Sequence, residues 1–185
     1  MAIIKQRIDL KSDLKQANPT KQNLTLPPLK HLNIMTMTYS PVTKQHIDAL
    51  MTIENACHSH PWSEKTLLSC IGGRYFGFML EKNNALVGFY IGEYVAGDAT
   101  LMDICVSPDH QGHGYGKQLL NHFSEHAITL GAEQLLLEVR AKNISALMMY
   151  INIGFIEVGR RTGYYPSKIG YEDAIVMKKS LNQKK

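Results

Sequence analysis

Cysteine is scarce and unpatterned in this chain of 185 residues: Cys57, Cys70 and Cys105 are odd in number and include no CxxC pair. That spacing argues against a disulfide framework and against a cysteine zinc site, and it fits a reducing compartment. Long apolar runs are missing as well. Nothing approaches the roughly 18 apolar residues of a membrane span, and the first residues lack the apolar core of a secretory signal, so a cytoplasmic protein without membrane attachment is expected. Surplus charge is confined to one end. Of the formal net charge of +4, residues 1–38 hold six Lys/Arg against two Asp/Glu, while 39–185 hold fourteen of each. A body that is neutral overall is a poor electrostatic footprint for nucleic acid, so direct binding to DNA or RNA by the body is not expected. The usual nucleotide signatures are absent too: Gly112, Gly114 and Gly116 are spaced GxGxG rather than GxGxxG, and no Gly-Lys-Ser/Thr follows.

What is present suits one well-buried domain, with 44% apolar residues. Residues 1–36 are rich in Lys, Gln and Asn, carry three prolines and keep no period, which predicts a solvated basic extension. Binding of that tail to RNA or a membrane surface is the weaker reading, and Met35 and Met37 offer alternative translation starts directly before the ordered body. The domain itself is expected over 37–181, with 182–185 as a tail. A monomer or weak dimer is expected.

From Tyr39 onward the apolar residues recur with clear periods. Val42, Ile47, Leu50, Met51 and Ile53 follow helical spacing behind Thr43, a good N-cap, and predict an amphipathic helix over 43–57. A shorter helix should begin at Ser63, after Pro61-Trp62. Runs of β type over 75–80 and 86–95 meet at Asn83-Asn84, a hairpin signal, and Gly97-Asp98 turns the chain into a third strand over 100–106 that stops before Pro108. Leu119, Leu120, Phe123, Ala127 and Leu130 share one helical face, with Gly131 as its stop. Then follow a buried strand over 134–139, a helix over 145–152, and strands over 155–161 and 174–178. Antiparallel hairpins followed by a β-α-β passage place the chain in the mixed α/β, or α+β, class.

The stretch Asp109-His110-Gln111-Gly112-His113-Gly114-Tyr115-Gly116-Lys117 carries the chemistry. A strand that runs through a glycine-rich turn into a helix presents free backbone N–H groups and the positive end of the helix dipole, which together favour a phosphate. The pattern Gln111-x-x-Gly114-x-Gly116, after Asp103-Ile104-Cys105-Val106 and before a helix, resembles the acetyl-CoA pyrophosphate loop of the GNAT N-acetyltransferases. Further phrases resemble the bacterial ribosomal-protein alanine N-acetyltransferase branch of that family: His60-Pro61-Trp62-Ser63-Glu64-Lys65-Thr66, Leu137-Glu138-Val139-Arg140, Asn143, Ala146-Leu147-Met148-Met149-Tyr150, Gly154-Phe155, Tyr164-Tyr165-Pro166 and Glu172-Asp173-Ala174. The likeness spans about 39–181.

The resemblance implies a GNAT fold: a central, mostly antiparallel mixed sheet with helices on both faces, whose two middle strands splay at a bulge. It implies acetyl-CoA as co-substrate. The backbone of Ile104, Cys105 and Val106 would pair with the pantetheine arm, Gln111, Gly112, His113, Gly114, Tyr115, Gly116 and Lys117 would cradle the diphosphate, and Asn143 would touch the cofactor near the next helix. One position departs from the pattern. Gly112 stands where relatives carry a basic residue, which leaves His113 or Lys117 to supply charge.

Acetyl transfer asks for two proton-handling groups. An amine attacks a thioester only when neutral, and a peptide α-amine, with a pKa of about 7.7 to 8, releases its proton more readily than lysine at about 10.4. Glu138 is an acid inside the otherwise apolar strand LLLEVR, and the resemblance makes it the general base, acting directly or through water. Tyr150 matches the family's proposed general acid for the departing thiolate. The structural alternatives are an ion pair of Glu138 with Arg140, two residues on along the strand, and an ordinary core tyrosine. The acceptor implied is the N-terminal alanine of a small-subunit ribosomal protein, in a tight pocket walled by Trp62 and Tyr165. Other N-termini, lysine, a small amine, or a non-catalytic acyl-CoA-binding module remain as alternatives.

No metal is expected. His122 and His126 have helical i, i+4 spacing but no evident third ligand, and they read as surface histidines. His58 and His60 read as lining the acceptor groove or as solvent-facing. Cys105, mid-strand with no base beside it in the sequence, reads as a small buried hydrophobe rather than a nucleophile.

Overall fold

The computed structural model describes residues 36–167 and 170–181. The expected extension over 1–36, apart from Thr36, and the tail over 182–185 lie outside the described residues.

Two tight turns start the sheet. Strand β2 (Tyr75–Lys82) meets β3 (Ala85–Val95) through Asn83-Asn84, both at positive φ (51° and 65°), which is the geometry a two-residue hairpin needs to match the strands' twist. Strand β4 (Asp98–Val106) follows through Ala96-Gly97, again both at positive φ, one residue earlier than the sequence suggested. Strand β1 (Met37–Pro41) pairs antiparallel with β2 as an edge strand that sequence reading missed. Five residues ending in proline, on an edge, leave almost no alternation to detect. Strand β5 (Gln134–Arg140), β6 (Ile156–Ser167) and β7 (Gly170–Ser180) complete a seven-stranded sheet in the order β1-β2-β3-β4-β5-β7-β6. Every pairing is antiparallel except β4 with β5.

The last two strands run well beyond the expected 155–161 and 174–178. Strand β6 is an edge exposed along most of its length and broken by register shifts at Glu157/Gly159 and Arg161/Tyr165, so its polar outer half shows no period-two signal.

Helices cover both faces. Helix α1 (Ile47–Cys57) starts with a 3-10 turn over Lys44–His46, in which the Thr43 backbone N–H donates to His46 Nδ1 at 3.1 Å. Helix α2 (Glu64–Ser69) is capped by Ser63, whose hydroxyl accepts from Thr66 N. Both pack on one side with Leu50, Ile53, Leu67, Phe89 and Ile91. Helix α3 (Tyr115–Thr129) and α4 (Ile144–Ile153) pack on the other with Tyr90, Leu119, Phe123, Leu135 and Tyr150. Within β3, Phe89 and Ile91 serve one cluster and Tyr90 between them serves the other, as strand geometry requires.

Strand β4 carries the decisive irregularity. Opposite Ile91 and Gly92, its partners are Asp103 and Leu101, so Met102 is an extra residue in a β-bulge. The bulge inverts which side chains face which layer. Ala99 and Leu101 face the α3 side, whereas beyond the bulge Cys105 faces the α1 side.

Candidate active site

Just past the bulge the two middle strands part. β4 and β5 pair in parallel only from Asp98 with Gln134 to Leu101 with Leu137, after which β5 continues on β7 alone and β4 on β3 alone. The wedge between them is walled on one side by the β4 backbone at Ile104, Cys105 and Val106, whose edge toward β5 has no ladder partner among the described residues. One group there is already engaged: the Val106 carbonyl accepts from Gln111 Nε2 and from Cys57 Sγ, each at 3.0 Å.

The glycine-rich loop closes the same end. Pro108–His110 make a single 3-10 turn, and Gly114, at φ 80°, is the N-cap of the 15-residue α3. Gly112 lies at φ 76°, and a Cβ at either glycine would touch nothing within 4 Å. Glycine is therefore required there by the left-handed backbone, not by crowding, and space beside the loop stays open. The first N–H groups of α3 are orphan donors at the positive helix end, so the loop fits a diphosphate. His113 folds back, its Nδ1 lying 2.8 Å from the Gln111 carbonyl. The Tyr115 side chain is buried in the core, so only its backbone is available to a ligand. Among the described residues Lys117 makes no ion pair, which leaves its charge for an anion. Asn143 caps α4, its Oδ1 accepting from Ala146 N at 3.2 Å, and keeps its amide NH₂ for a ligand.

Glu138 is the first β5 residue beyond the paired stretch, at the apex of the wedge. Its partner is Arg161 on β6, one Nη1 reaching both carboxylate oxygens at 2.9 and 3.2 Å, rather than Arg140. Arg140 instead lies over the Tyr165 ring at 4.4 Å, donates to the Pro166 carbonyl and pairs with Glu172. Tyr150, on α4, is 5% exposed and packs edge-on against Phe155. Burial first, then the charges of Asp103, Tyr165 and Cys105, hold its phenol above the usual 10. Tyr165 is pushed up to about 12 by burial and then by Glu138. Trp62 packs with the α1–α2 cluster, its backbone N–H donating to Glu54 Oε1 at 2.7 Å.

Sequence reading missed a second cluster. Cys105 does have a base beside it: its Sγ is 3.0 Å from His58 Nε2 and 3.1 Å from Glu54 Oε2. Asp103 Oδ1 is 3.4 Å from the same His58 nitrogen. Glu54 is 1% exposed, and burial followed by the Asp103 charge raises its pKa. Hydrogen bonding to Asp103 raises that of His58. Burial on the apolar side of an otherwise amphipathic helix was the one available signal. His122 and His126 are ring-stacking residues: His122 stacks on Tyr39 at 3.9 Å and shares a hydrogen bond with the Tyr90 hydroxyl at 2.9 Å, and His126 packs against Phe76 and Phe78.

A parted middle pair of strands, a left-handed glycine loop on a helix N-terminus and a carboxylate at the fork lie together at one end of the sheet. Residues 47–155 match the acetyltransferase (GNAT) family, and the chain belongs to that family. It is 41% identical over 140 residues to the ribosomal protein bS18-alanine N-acetyltransferase of Escherichia coli K12, covering 76% of this chain and 95% of the relative. It is 42% identical to the enzyme of the same name from Haemophilus influenzae, covering 70% and 89%. The crystal structure of the Escherichia coli ribosomal-protein-S18-alanine N-acetyltransferase superposes with a TM-score of 0.75 at 40% identity, over 77% of this chain and 92% of that one.

Proposed function

We propose that the protein transfers the acetyl group of acetyl-CoA directly to the N-terminal alanine of ribosomal protein bS18, acting in the cytoplasm. The observation that carries this reading is the position of Glu138, where β4 and β5 part, within a chain 41% identical over 140 residues to an enzyme named for that acceptor. Ile104 and Cys105 offer backbone groups to the pantetheine arm, the loop from Gln111 to Lys117 offers N–H groups and one lysine to the diphosphate, and Asn143 offers its amide.

Glu138 accepts the proton that the α-amine gives up as its nitrogen bonds to the thioester carbon, directly or through a water. Tyr150 donates its phenolic proton to the sulfur as the C–S bond breaks, so free coenzyme A leaves as a thiol. Arg161 holds the Glu138 carboxylate at the fork until an amine arrives. Tyr165 supports a small-residue pocket; Trp62 would complete it only from across the α1–α2 side, and equal rates on alanine and leucine N-termini would refute that pocket.

The test is thiol release from acetyl-CoA with two peptides: one beginning with a free alanine and lacking lysine, the other N-terminally blocked with an internal lysine. Release with the first alone is expected. Release with the second alone overturns the acceptor, and release with neither turns attention to small amines or to a binding-only module.

A further inference from the structure

Four side chains that acetyl transfer does not use converge on one point beside the wedge. Glu54 and His58 are one helical turn apart at the C-terminal end of α1. The Met102 bulge turns Asp103 and Cys105 of β4 toward them. We propose that Glu54, His58, Asp103 and Cys105 form a binding site for one divalent transition-metal ion, with zinc the best match.

The distances are close to those of a coordination polyhedron. Cys105 Sγ lies 3.0 Å from His58 Nε2, 3.1 Å from Glu54 Oε2 and 3.7 Å from Asp103 Oδ1. His58 Nε2 lies 3.5 Å from Glu54 Oε2 and 3.4 Å from Asp103 Oδ1, and one donor atom from each of the four residues lies within 4.8 Å of all the others. Ligands at about 2.0 to 2.3 Å from a tetrahedral zinc stand roughly 3.3 to 3.8 Å apart, so a small contraction or spreading of these contacts seats the ion.

The geometry also separates coordination from nucleophile activation. A Cys-His-Asp relay uses the two ring nitrogens of histidine on different partners. Here the thiol and both carboxylates face the same Nε2, which carries one proton or one lone pair and cannot serve three partners. A cation at the centre satisfies all of them. Charge points the same way: two carboxylates and a thiol, all largely buried, have His58 as their only basic neighbour in contact among the described residues. The backbone N–H of Trp62 holds Glu54 Oε1 at 2.7 Å, an outer hydrogen bond that leaves Oε2 pointing inward. Cys57 is turned to the Val106 carbonyl and stays outside the set. One thiolate and one imidazole select a borderline-soft ion over magnesium or calcium, and four protein ligands make a closed, structural site. Bound there, the ion clips α1 to β4 at the bulge and so braces the wall of the wedge, without entering the proton transfers.

The full chain, reduced and stripped with a chelator, is titrated with Co²⁺ and then with Zn²⁺. One Co²⁺ per chain is expected, with a thiolate-to-cobalt charge-transfer band and the intense visible bands of four-coordinate cobalt, both erased by Zn²⁺. Cys105→Ser loses the charge-transfer band, and His58→Gln weakens binding at least about 10-fold, whereas Cys57→Ala and Cys70→Ser keep the band. Zinc at about 100 times its Kd raises the wild-type melting temperature by about 5 to 10 °C and leaves His58→Gln where it was. His58 is 39% exposed, so that variant folds even if Cys105→Ser does not. No stoichiometric binding, a band that survives Cys105→Ser, or one that disappears with Cys57→Ala overturns the assignment.

Discussion

Replacing Tyr150 by phenylalanine separates catalysis from folding. The ring is 5% exposed and packs 5.9 Å from Phe155, and both its burial and that contact survive in phenylalanine. Among the described residues no hydrogen bond engages the hydroxyl, so its removal orphans no partner and should change stability by no more than about 1 kcal/mol, or about 2 to 4 °C in Tm. Burial holds the phenol above 10, so it is protonated through the neutral range and able to donate. General acid assistance is worth about 100- to 10,000-fold, equivalent to about 2.7 to 5.4 kcal/mol of barrier. Steady-state thiol release on the alanine peptide should therefore fall at least about 100-fold in kcat, with the KM for acetyl-CoA nearly unchanged and the melting curve superimposable. Turnover within about threefold of wild type would remove Tyr150 from the reaction. A rate loss matched by a large fall in Tm would make it a packing residue.

Glu138→Gln should likewise lower kcat about 100-fold or more while sparing acetyl-CoA binding, since it lies outside the loop; near-normal turnover would exclude it as the base. Gly92→Ala should cost about 1 to 3 kcal/mol and about 2 to 12 °C in a thermal melt. Its Cβ would stand 2.5 Å from Phe76 Cζ and 2.8 Å from Phe123 Cε2, two rings already stacked at 5.7 Å, and an unchanged Tm would refute that packing. Burial holds His122 and His126 below the usual 6.5, so their neutral forms favour the fold. That stability is whole above pH 6.5 and is lost as pH falls from there through the folded values, so His126→Phe should flatten the decline of Tm between about pH 7 and 5. Equal slopes would exclude the ring stack as the cause.

Much of the fold was legible because its signals are local. Asn83-Asn84 announces a hairpin through its own tolerance of positive φ, Ser63 and Thr43 mark helix starts, and the α3 face is read from five spaced apolar residues, of which only Leu130 proved exposed. Strand β1 and the outer half of β6 were not legible, because an exposed edge imposes no alternation. Glu138 stood out as an acid in an apolar strand, but its partner did not: Arg140 is near in sequence, whereas Arg161 arrives from a separate strand.

The sequence by itself determined the local elements and the glycine-rich loop, since each depends on backbone preference or on a contiguous motif, while the two residues proposed for proton transfer came from the family resemblance. Only the tertiary structure decided where β4 and β5 part and what gathers beside that fork. One extra residue at Met102 reverses the faces of the strand, so alternation counted from Leu101 puts Cys105 in the wrong layer. The contacts it then makes, to His58 across 47 positions and Glu54 across 51, arise from packing α1 onto the sheet and leave no periodic trace in the chain.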